Sequence, residues 1–92
     1  MSVTFEWDAA KARDNIEKHG VDFEEASSAF FDPLSLTIPD PEHLEVEERF
    51  VLVGHSNSNR LLVVVHVDRG DRIRIISART AERHERRNYE ET

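Results

Sequence analysis

Ninety-two residues carry 38% hydrophobic and 34% charged side chains, a formal charge of −7 and no cysteine. A chain of this size buries one modest core, and without cysteine it has no disulfide, thiol chemistry or cysteine-held metal. The longest apolar run, Leu61 to Val65, is too short to cross a bilayer, and Met1–Trp7 lacks the basic and apolar regions of a signal peptide. The expectation is one domain over residues 1–92, cytoplasmic and without a membrane partner.

In chain order, Phe5–Trp7 reads as a short strand. Asp8 is placed to cap a helix with Ala9, Ala12 and Ile16 on its buried stripe. Lys18 and His19 fall in its last turn, where cations suit the helix dipole, and Gly20 ends it. Asp22 with Glu25 three residues on resembles a capping box, and Val21 can staple onto Ala26. Phe23, Ala26, Ala29 and Phe30 form the apolar stripe of that second helix, which Asp32-Pro33 stops. Leu34, Leu36 and Ile38 alternate as in a half-buried strand, Pro39-Asp-Pro41 breaks it, and an acidic connector runs through Glu48. Strands follow over Arg49–His55, Leu61–Asp68 and Arg72–Ser77, the last two joined by a three-residue loop Asp68-Arg69-Gly70 with Gly70 left-handed. From about Thr80 the chain is helical and almost wholly polar, with Glu82 and Arg86 spaced for an i,i+4 pair. The fold class is α+β: two N-terminal helices packed on a twisted antiparallel sheet, then a C-terminal helix.

Charge is unevenly placed. Residues 1–48 hold thirteen acidic and three basic side chains, a balance of −10; residues 49–92 hold six acidic side chains and nine arginines, a balance of +3. Arginine forks onto phosphate in planar, bidentate geometry. With the loop at 68–70, His66 opposes Arg72 and Val65 opposes Ile73. Val63, Val65, Ile73 and Ile75 then face the helices, while His66, Arg72 and Arg74 share the other face. Arg79, Arg83, Arg86 and Arg87 follow. RNA cleavage asks for groups of this kind: guanidinium to hold phosphorane charge, imidazole to move protons near neutral pH. The five histidines form no close cluster with carboxylates at ligand spacing, so no metal or other cofactor is expected. Each residue also has a plain structural reading. His66 can be a hydrogen-bonded surface residue, Arg72 and Arg74 partners of strand carboxylates, His19 a helix-end cation and Tyr89 a packing anchor.

The order and type of several spaced segments resemble the BrnT toxins: Phe5-Glu-Trp-Asp8 with Lys11, Lys18-His-Gly-Val21, Phe23-Glu-Glu-Ala26, Phe31-Asp-Pro33, Arg72-Ile-Arg-Ile-Ile-Ser-Ala-Arg79, Glu85-Arg86-Arg87 and Tyr89-Glu90. The resemblance covers essentially the whole chain. It implies a RelE-like fold and a ribonuclease that inhibits translation. It also implies a BrnA-type antitoxin with a ribbon-helix-helix part, through which operator DNA is met only indirectly. On that resemblance the catalytic region maps to Arg72, Arg74, Arg79 and Arg83, with His66 and Tyr89 for proton transfer or base stacking. Arg83, Arg86, Lys18 and His19 are the expected RNA contacts. The absence of lysine after Lys18 departs from nucleases with lysine-rich sites. The alternative is a non-catalytic module whose arginine face receives a partner segment.

Overall fold

The computed structural model describes residues 3–41 and 48–91, so most of the acidic connector, residues 42–47, lies outside the described residues. The elements are β1 (Thr4–Glu6), α1 (Ala9–His19), α2 (Phe23–Ser28), a 3-10 turn (Ala29–Phe31), β2 (Leu36–Pro39), β3 (Arg49–His55), β4 (Leu61–Arg69), β5 (Arg72–Thr80) and α3 (Arg83–Glu90). The five strands form one sheet in the order β1-β5-β4-β3-β2. Only β2 to β5 are antiparallel to one another. β1 runs parallel to β5, Thr4 opposite Arg72 and Glu6 opposite Arg74, so the sheet is mixed, not antiparallel throughout.

Helix ends follow the local chemistry. Asp8 accepts a hydrogen bond from the Lys11 N–H at 3.2 Å, and Gly20 closes α1 in the left-handed region at φ 69°. Asp22 caps α2 through the Glu25 N–H. The Glu25 carboxylate is drawn away from the cap by Arg60, which it pairs with bidentately, and it accepts from the Ser56 hydroxyl at 2.7 Å. This ties α2 to the turn between β3 and β4. At Gly54 a side chain is impossible without movement, since a Cβ would stand 2.8 Å from the Ala29 carbonyl.

The buried stripe of α1 differs from the expected one. Ile16 is half-exposed, and Asn15 is the buried residue. Its side-chain N–H donates to the Ala78 carbonyl at 2.7 Å and to the Val21 carbonyl at 2.9 Å, while its oxygen accepts from the Ala78 N–H at 3.1 Å. The reason lies in the sheet. β1 pairs with β5 only through Arg74, and beyond that point the outer edge of β5 needs another partner. The Asn15 carboxamide offers both a donor and an acceptor, so it takes the place of a missing strand residue.

The hairpin also differs. Arg69 pairs with Arg72, leaving a two-residue loop with Gly70 first at φ 78°, the place where a type II′ turn takes glycine. His66 therefore opposes Ile75, and Val67 opposes Arg74. A bulge follows, because Val65 opposes Ser77 and Ile76 is left over. Leu62, Val64, Ile75 and Ala78 face the helices and pack with Val21, Phe23 and Ala26; Phe5, Trp7 and Phe30 border them. Residues 63, 65 and 67 lie on the opposite face. The expected assignment of β4 was thus inverted: the strand is apolar on both faces, so alternation could not decide which side meets the helices.

Removing the strand-mimicking amide orphans one N–H and two carbonyls. Asn15→Ala is expected to lower unfolding free energy by about 2–4 kcal/mol in a urea titration, and Ile16→Ser by no more than about 0.5 kcal/mol. Equal losses in the two variants would contradict this orientation of α1.

Candidate functional site

The bulge at Ile76 decides what the open face of the sheet presents. Arg72 and Arg74 point to that face by simple alternation, and the extra residue shifts the parity so that Ser77 and Arg79 join them. Arg69, opposite Arg72, lies there too, and so does Glu6 from β1. Three guanidiniums converge on that carboxylate: Arg72 at 3.1 Å, Arg74 at 3.3 Å and Arg69 at 3.5 Å. Glu6 is the described carboxylate they share, and the group is open enough for solvent and ligands to reach. Partly exposed pairs of this kind add little stability. Their effect is to hold several guanidiniums in one orientation toward an anion.

Further along β5, Arg79 forks onto Glu85 of α3, with contacts of 2.8 and 2.7 Å. Glu85 also accepts from the Glu82 N–H at 2.8 Å. The Arg79 hydrogen bonds, outweighing burial, hold the Glu85 carboxyl below the usual range. Glu82 reaches Arg79 at 3.9 Å, in place of the expected pairing with Arg86. A cleft beside this pair is lined by Val63, Val65, Ser77, Arg79 and His84. At the edge of β5 a second groove shares Ser77 with it, lined by Lys11, Lys18, His19 and Ile76. Arg83 and Arg86 are exposed on α3.

His66 stands elsewhere. It is 4% exposed, on the helix-facing side, with its ring edge-on to Phe30 at 4.7 Å and its Nδ1 3.3 Å from the Val64 carbonyl. Burial pushes its pKa down. The expectation that His66 stands beside Arg72 and Arg74 is corrected: the two-residue loop and the inverted faces place it under the helices, as a core histidine.

Tyr89 anchors the far end of α3. Its phenol donates to Asp32 Oδ2 at 2.6 Å and lies 3.0 Å from His55 Nδ1. The Asp32 hydrogen bond, with burial behind it, pushes the phenol pKa up to about 12. Asp32 in turn accepts from the backbone N–H groups of His55 and Leu34, at 2.8 and 2.9 Å. Burial raises its pKa, but these hydrogen bonds together prevail and hold it low. In the sequence Asp32 reads only as a helix stop and His55 only as a strand end. Residues 32, 55 and 89 lie on three separate elements, and no local spacing connects them.

Among the described residues, Glu82, His84 and Glu85 bring ligand-type atoms within 4.8 Å of one another, a grouping not expected from the sequence. Two of the three already face the Arg79 guanidinium, so a metal ion would have to displace an existing cation.

Fold and face together define a class: an α+β domain that offers cations on an open sheet face. A family model described as ribonuclease toxin, BrnT, of type II toxin–antitoxin systems matches residues 7–85, and the chain belongs to that family. It is similar to the crystal structure of the Brucella abortus ribonuclease toxin BrnT, with a TM-score of 0.59 and 26% identity, over 89% of this chain and 100% of that one. No curated protein matches by sequence.

The depressed carboxylates set the acid response. A group whose folded pKa lies below its unfolded value adds stability above about pH 4 and loses that contribution as pH falls through this range. Urea midpoints are expected to drop between about pH 5 and 3, with a shallower slope in Glu85→Gln. An unchanged slope in that variant would show that the Arg79–Glu85 pair does not contribute.

Proposed function

We propose that this chain is a metal-independent endoribonuclease that uses the open face of its sheet. What carries the reading is that Arg69, Arg72, Arg74 and Arg79 all lie on that face, three of them oriented around a single carboxylate. A phosphate makes the same demand on a guanidinium as Glu6 does, and the pentavalent phosphorane formed during cleavage makes a larger one. In this reading Arg72, Arg74 and Arg79 stabilise the reacting phosphate and its neighbours. Arg83 and Arg86 meet flanking phosphates from α3, and Lys18 and His19 guide the strand over the edge of β5. Guanidinium needs no deprotonation and no metal to perform this task.

Attack by the 2′-hydroxyl leaves a 2′,3′-cyclic phosphate and a free 5′-hydroxyl. Such cleavage, acting on messenger in the cytoplasm, inhibits translation until a BrnA-type antitoxin restrains it, and operator DNA is then met through the antitoxin. The acidic total charge suits this division, since grip on duplex DNA comes from neutralising many phosphates. The position of Glu6 favours a second use of the same face. A guanidinium group that already accepts a carboxylate suits an acidic antitoxin segment, which would block RNA by occupying its site.

Cleavage is expected to persist in EDTA and to fall on the order of 100-fold in Arg74→Ala, with the thermal midpoint little changed. Full activity in that variant would remove the face from the mechanism. Loss of activity in EDTA that added metal restores would contradict metal independence.

A further inference from the structure

The cluster at the foot of α3 holds an imidazole in a fixed orientation. Asp32 is 9% exposed in its side chain, follows the 3-10 turn, and accepts the Tyr89 phenol at 2.6 Å. The phenol has a single proton, and this short contact to a carboxylate takes it. Toward His55, 3.0 Å away, the Tyr89 oxygen is then an acceptor only, so Nδ1 of His55 carries hydrogen. The His55 N–H of the backbone also binds Asp32, which fixes the strand under the ring. A neutral His55 in this state has its lone pair on Nε2, on a side chain that is 35% exposed.

We propose that His55 is the proton-transfer residue of the nuclease, with Tyr89 and Asp32 as its positioning residues; this rests on the ribonuclease reading above. Nε2 takes the proton of the 2′-hydroxyl, and the electron pair of the 2′-oxygen forms the new bond to phosphorus. The bond from phosphorus to the 5′-oxygen breaks, the 5′-oxygen takes a proton from water, and the imidazolium returns its own proton to the solvent. Both protonation states of the ring keep Nδ1–H pointed at Tyr89, so the network need not rearrange during the cycle. Asp32 Oδ2 also lies 3.7 Å from the ring nitrogen, which helps hold the ring in place.

The placement suits a shared phosphate. His55 lies on the open face, one step along β3 from Val53, which opposes Val63, which in turn opposes Arg79. Glu85 and Tyr89 are one turn apart on α3, about 6 Å, and they hold Arg79 and His55 respectively. The guanidinium of Arg79 on β5 and the imidazole of His55 on β3 are therefore both held from one stripe of α3. His66 is buried on the other side of the sheet, and no described hydrogen bond fixes the ring of His84.

The test combines cleavage rates with the tautomer of His55. Rates are measured on a defined RNA, free and engaged by ribosomes, for wild type, His55→Ala, His55→Gln, Tyr89→Phe and His84→Ala. Nitrogen-15 spectra of the imidazoles are recorded for wild type and Tyr89→Phe. Both His55 variants are expected to lose at least about 100-fold in rate, and Tyr89→Phe a smaller factor. The His55 ring is expected to be Nδ1-protonated in wild type and to shift toward the Nε2–H form in Tyr89→Phe. A wild type that cuts RNA while His55→Gln keeps its rate overturns the proposal alone, as does a wild-type His55 protonated on Nε2 when neutral. A wild type that cuts neither RNA overturns the ribonuclease reading and this proposal with it.

Discussion

The open face depends on how the outer edge of β5 is closed. β1 covers that edge for only three residues, and a buried strand edge with unmet backbone groups is costly. Asn15 closes the edge at Ala78, beyond the bulge, with a carboxamide that pairs with both polar groups of that residue. α1 can therefore lie where a longer strand would otherwise be needed. Beside this closure the strand carries its extra residue at Ile76, and the change of parity delivers Arg79 to the face that already holds Arg72 and Arg74. A regular β5 would have pointed Arg79 toward the helices, where an arginine has no place among Phe23, Leu62 and Val64.

A molecule of charge −7 handles a polyanion by segregation. The arginines of the second half of the chain are concentrated on β4, β5 and α3, and internal carboxylates already occupy several of them: Glu6 at one end of the face, Glu85 near the other. Those carboxylates keep the guanidiniums ordered and keep like charges from repelling in the absence of a ligand. An incoming phosphate has to compete with them. In the proposed reading, binding is an exchange of anions, and α3, held by Arg79 at one end and by Asp32 and His55 at the other, is the element that such an exchange would disturb.

Helix ends and strand positions were legible from the sequence because they rest on local chemistry: Asp8, Gly20 and Asp22 act where capping rules place them. The faces were not legible. Leu61 to Val67 is apolar throughout, apart from His66, and a one-residue change in the hairpin loop reverses the face of each β4 side chain while those of Arg72 to Ile75 stay as expected. Asn15 was missed for a related reason, since a polar residue on a helix reads as solvent-facing until its partner strand is known. The polar docking of α3 was hidden in the same way: the helix is almost wholly polar, and Glu85 and Tyr89 find partners that are distant in sequence.

The most direct measurement of where RNA binds is a titration of the nitrogen-15-labelled protein with an uncleavable 2′-O-methyl oligonucleotide, followed by NMR. Shifts are expected at the Nε–H groups of Arg72, Arg74 and Arg79, at the amides of β5, and at the His55 ring, with the signals of His66 and α2 left in place. Saturable shifts confined to α2 and the helix-covered side, with the arginine signals unmoved, would contradict the assignment of the open sheet face as the RNA site.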